Sequence, residues 1–146
     1  MTSTEFKIKH SELIEQFQWI EFNFKKIIIG LNGEGIISGL DTLNKDAWGR
    51  LMDRVYEAEQ KAGTRFFSNS LYDELDDLRE ERNYWCHQCY LEVRFKRDGT
   101  VRSSKIVQKL DEDYRKATEL QDRTQEIFDK VLRKLLKKET PWVDRG

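Results

Sequence analysis

Proline is almost missing: the only one in 146 residues is Pro141, so Met1 to Thr140 lacks the residue that most strongly forbids a helix interior. Long helices are permitted nearly throughout. Cysteine is scarce too. Cys86 and Cys89 are too few for a disulfide framework and fit a reducing compartment. No apolar run approaches the ~20 residues that cross a bilayer, and Met1 to Lys9 lacks the charged start, apolar middle and cleavage site of a signal peptide. A cytoplasmic protein with no membrane contact is expected. Charge of one sign is also lacking, with 26 Lys and Arg against 27 Asp and Glu, which excludes coating nucleic acid by bulk charge alone. Local basic patches remain allowed. What is abundant is charge of both signs, 36%, and aromatic residues, 12%, too many for a disordered chain. The length suits a single domain, 1–146, with its own core.

Apolar periodicity predicts four helices. From about Thr4 to Ile29, Phe6, Leu13, Phe17, Ile20, Phe24 and Ile27 follow three- and four-residue steps, and Gly30 is the expected stop. Four glycines between Gly30 and Asp41 predict a loop or a broken turn connecting helices, but without the strand and lysine that a phosphate-cradling loop needs. Leu43, Ala47, Trp48, Leu51, Met52, Val55 and Tyr56 mark a second helix ending near Gly63. A third begins at Ser68 or Ser70, its seam running Leu71, Leu75, Leu78, then Arg82, then Trp85 and Cys89. Val93 to Arg102 alternates around Asp98-Gly99 and predicts a small hairpin. The fourth helix, about Ser104 to Lys137, spans roughly 50 Å at 1.5 Å per residue, long enough to project, kink or join a second chain. The expected fold is all-α: a four-helix up-and-down bundle with a long C-terminal helix.

The chemistry gathers in the third helix. Asn83 and His87, four apart, share a face, whereas Arg82, five before His87, lies about 140° away and falls on the apolar seam. A charged group there needs a reason. It either snorkels or pairs with an acid on another helix, or it joins His87 in a groove that binds a phosphodiester. The second option has a physical basis: guanidinium offers a planar fork to two phosphate oxygens, and imidazole exchanges protons near neutral pH.

The segment Arg82-Asn83-Tyr84-Trp85-Cys86-His87 resembles the arginine-(four to six residues)-histidine signature of the HEPN superfamily, with Asn83 matching the polar residue after the arginine. The superfamily is all-α, carries the motif on a long helix late in the bundle, and usually dimerises so that two motifs face across the two-fold axis. One subgroup has tyrosine two residues after the histidine, where Cys89 stands here; Tyr90 comes one later. The resemblance implies a HEPN-like bundle and an endoribonuclease that needs no cofactor or metal, of the kind that acts as a toxin or phage-defence effector checked by a protein inhibitor. It makes Arg82 the clamp on the phosphate oxygens, His87 the general base or acid, and Asn83 the residue that orients either His87 or the phosphate. Catalytically silent relatives that bind RNA, nucleotide or a protein are the alternative.

Arg94, Lys96, Arg97, Arg102 and Lys105 lie close together with only Asp98 opposing them, and are candidates to track an RNA backbone, with Tyr90 beside them. A solvated basic loop is the simpler role. Cys86-His87-Gln88-Cys89 supplies too few ligands for zinc, since His10 is the only other histidine. Acid–base work by two histidines therefore needs His10 or the His87 of a second copy, and a homodimer is the expected partner alongside RNA.

Overall fold

A computed structural model describes residues 1–139, apart from the side chains of residues 36, 37, 138 and 139; Pro141 lies outside the described residues. Its helices are α1 (Ser3–Asn32), α2 (Ile36–Leu43), α3 (Trp48–Ala62), α4 (Asn69–His87), α5 (Cys89–Glu92) and α6 (Ser104–Glu139). The chain is all-α, as its periodicity suggests. No described helix is long and apolar enough to cross a membrane.

α1 starts at Thr2, whose side chain accepts from the Glu5 amide, and buries Phe6, Leu13, Phe17, Ile20, Phe24 and Ile27. It runs past the expected stop. Gly30 lies inside the helix, where a Cβ would stand 2.8 Å from Val131 Cγ1, so its bareness lets α6 approach. Gly33, at φ +68°, is the true left-handed cap.

The stretch expected to be a loop contains α2, and Leu43 belongs to it rather than to the second long helix. Trp48 opens α3 and meets Phe17 and Phe24 edge-on, with ring centroids 6.1 and 5.5 Å apart. α3 ends at the C-terminal end of α1, with Ala62 and Thr64 beside Gly30 and Leu31. The next connection is tied by Glu59, which is 2% exposed and accepts from the Phe66 and Phe67 amides and the Tyr72 hydroxyl. Burial, together with that bond, pushes the Tyr72 hydroxyl pKa well above its usual range.

α4 returns toward the start of α1, where Trp85 lies near Phe6 and His10. α6 then runs in the same sense as α1: Lys9 pairs with Asp111, Asn23 donates to Thr124, and Gly30 abuts Val131. The first and last helices of an up-and-down bundle of four point opposite ways. Here they are parallel, so that expected order is corrected: α1, α3 and α6 share one direction and α4 opposes them. The cause is α2, which carries the chain back along α1 so that α3 starts beside Phe17 and Phe24.

α4 is fixed on α6 by polar groups as well as by its seam. Trp85 Nε1 donates to buried Asp113 at 2.8 Å, and Lys109 lies 3.2 Å from Asp113 while also bonding Glu81. Burial works against the charge on Lys109, but these two carboxylates outweigh it and raise its pKa.

The expected hairpin is reduced to isolated antiparallel bridges, Phe95 with Val101 and Thr2 with Thr100. Asp98 accepts from the amide and hydroxyl of Thr100 at the turn, which holds its carboxyl below the usual range. Val93 and Val101 face inward, whereas Arg94, Lys96 and Arg102 face solvent, as strand alternation requires.

Candidate functional site

The site is built on the last turns of α4. Leu71, Leu75, Leu78 and Trp85 seat this helix on the core, and the seam position between Leu78 and Trp85 is Arg82. Arg82 turns toward α1. Its Nη2 donates to Glu21 Oε1 at 3.0 Å and its Nη1 to Asn83 Oδ1 at 3.1 Å. The two side chains of the ion pair are 23% and 19% exposed, so the contact is largely shielded from solvent. Guanidinium carries five N–H donors, and with two engaged, three remain for another ligand.

His87 is the final residue of α4 and is exposed, and its side chain makes no hydrogen bond, ion pair or ring contact among the described residues. The structure therefore joins Arg82 to Asn83 and Glu21, and leaves His87 open on the next turn. Tyr90, on α5, sits edge-on to His10 with centroids 5.1 Å apart, and its hydroxyl lies 3.5 Å from His10 Nδ1. Arg94, Lys96, Arg97 and Arg102 are all exposed on the segment that follows α5. They form a basic surface and make none of the contacts described for Arg82.

His10 has a structural task. α4 stops at Gln88, where φ −123° and ψ −25° depart from helical values, so carbonyls of its last turn lose their intrahelical donors. The Trp85 carbonyl is one of them, and it lies 2.7 Å from His10 Nε2. Because a carbonyl only accepts, that nitrogen carries the proton. The Cys89 thiol shares the same carbonyl at 3.3 Å.

Burial raises the pKa of both thiols, Cys86 despite the nearby Arg82, which leaves them poor nucleophiles. Among the described residues, no group of three or more His, Cys, Asp or Glu is placed to hold a metal ion.

Glu21 is the site residue that sequence reasoning did not single out, whereas His10, named there as one source of a second acid–base histidine, is bonded to the Trp85 carbonyl. Glu21 left a faint signal, as an acid next to Ile20 on the edge of the α1 seam, available to an arginine on the seam of another helix. His10 sits four after Phe6 and three before Leu13, on the buried stripe itself. Compared with known proteins, the chain matches no family model, no curated protein and no solved structure.

Proposed function

We propose that this chain is a HEPN-like, metal-independent endoribonuclease acting in the cytoplasm as a homodimer. The carrying observation is the end of α4, where a guanidinium already oriented by Glu21 and Asn83 lies one turn before an unengaged imidazole. RNA brings its own nucleophile, so the protein's part is proton transfer and charge stabilisation. His87 takes the proton from the 2′-OH. The 2′-oxygen attacks phosphorus, Arg82 steadies the added negative charge, and the 5′-oxygen leaves with a proton taken from water, His87 returning its own to solvent. The products are a 2′,3′-cyclic phosphate and a 5′-OH.

One α4 does not aim both groups at one phosphate, because side chains five residues apart diverge by about 140°. Arg82 of one copy therefore works with the partner's His87. Arg94, Lys96, Arg97 and Arg102 track the RNA backbone, and the exposed ring of Tyr90 offers a base a stacking surface. Activity of this kind suits a toxin or defence effector restrained by a protein inhibitor.

A second reading, a catalytically silent module that binds RNA, nucleotide or a protein, is favoured by one observation: the Glu21 carboxylate occupies Arg82 and repels a phosphate. Incubation with total RNA in EDTA separates the two. Cleavage leaving cyclic phosphate ends supports the nuclease, and intact RNA across several substrates overturns it. Glu21→Gln adds a graded check. If Arg82 clamps phosphate, releasing it is expected to lower KM for RNA roughly threefold to tenfold, about 1 kcal/mol. An unchanged KM makes the pair purely structural.

A further inference from the structure

The outer face of α1 is unusually apolar for a helix that already buries one full stripe. Ile8, Trp19 and Phe22 are 55%, 46% and 37% exposed, and Trp19 and Phe22 pack edge-on with centroids 6.0 Å apart. Half-buried Ile14 lies beside them in a shallow depression bounded by Ser11, Glu15 and Gln18. Phe22 also lines a second, more apolar cleft with Phe128 and Leu132 of α6. The two surfaces are therefore continuous, and isolated apolar residues would need no explanation where a connected patch does.

Charge on this face is segregated along the helix. Level with Ile8 and Trp19 around the helix, Glu12 and Glu15 stand in its first half and Lys26 in its second. Lys26 is in place, donating to Gln125 at 3.1 Å and lying over the rings of Phe22 and Phe128. A second α1 laid parallel would put acid against acid and base against base. Laid antiparallel, with a two-fold axis level with Gln18 and Trp19, it brings Glu12 of one copy to Lys26 of the other and stacks the aromatic patches. The helix dipoles also oppose favourably.

We infer that the Ile8–Trp19–Phe22 face of α1 is the seam on which a second copy of this chain docks antiparallel. The inference rests on the dimeric reading above and gives it a geometry.

The test is sedimentation of the full chain at tens of micromolar, with Trp19→Glu/Phe22→Glu as the variant and circular dichroism to confirm folding. A dimeric parent and a folded monomeric variant are expected. Gln18→Cys in a Cys86→Ser background is expected to crosslink rapidly with a short bismaleimide, and Asp53→Cys, on exposed α3, is not. A monomeric parent, or a variant that stays dimeric, overturns the seam. RNA cleavage is scored separately. Dimers through this face without cleavage sink the nuclease and leave the seam standing, whereas a cleaving variant that remains dimeric does the reverse.

Discussion

His87→Ala is expected to lower RNA cleavage in EDTA by about 10²–10⁴-fold, the range for loss of a positioned acid or base. The fold should scarcely notice, because the imidazole is exposed and engages no described residue. A surface change of that kind costs within about 0.5 kcal/mol. Measured together, cleavage rate and urea midpoint divide the possibilities cleanly. A large rate loss at unchanged stability makes His87 a catalytic residue, and an unchanged rate removes it from the mechanism.

Glu59→Ala should produce the largest stability loss of any single change considered, about 3–5 kcal/mol, because it strips a buried carboxylate from several donors at once. The Phe66 and Phe67 amides would be left without their acceptor, and the Tyr72 hydroxyl with them. For a chain of this size the thermal midpoint should fall by roughly 10 °C. Tyr72→Phe, which removes one bond only, should cost about 1 kcal/mol. If Glu59→Ala costs less than Tyr72→Phe, water satisfies those amides and the turn between α3 and α4 is not held as described.

The helix faces could be read from the sequence because burial imposes a period. Phe6 through Ile27 and Leu71 through Trp85 are buried as their spacing implies. What the spacing left open was partnership and direction. Gly30 and Gly33 are alike as residues, and only the close approach of Val131 decides that the first continues the helix while the second ends it. α2, eight residues among glycines, is too short to carry a convincing period, yet it sets the direction of α3 and with it the parallel run of α1 and α6.

The site divides along the same line. Arg82 stood out as a charge on an apolar seam, which is a local feature. Its partner Glu21 lies 61 residues away and could be identified only by folding the chain. The structural task of His10, named from the sequence only as one source of a second acid–base histidine, was similarly hidden until a helix end with a bare carbonyl was brought to it. The open face of His87 follows from its place at the end of α4, just before the break at Gln88.

Mixing two inactive variants asks the most direct question of this site. Arg82→Ala and His87→Ala are each expected to be inactive alone. If Arg82 of one copy works with His87 of the other, equal mixing makes half of the dimers hybrid, each with one whole site, and about a quarter of parental cleavage returns. A mixture as inactive as its components, under conditions where the parent cleaves and subunits exchange, would contradict the shared site.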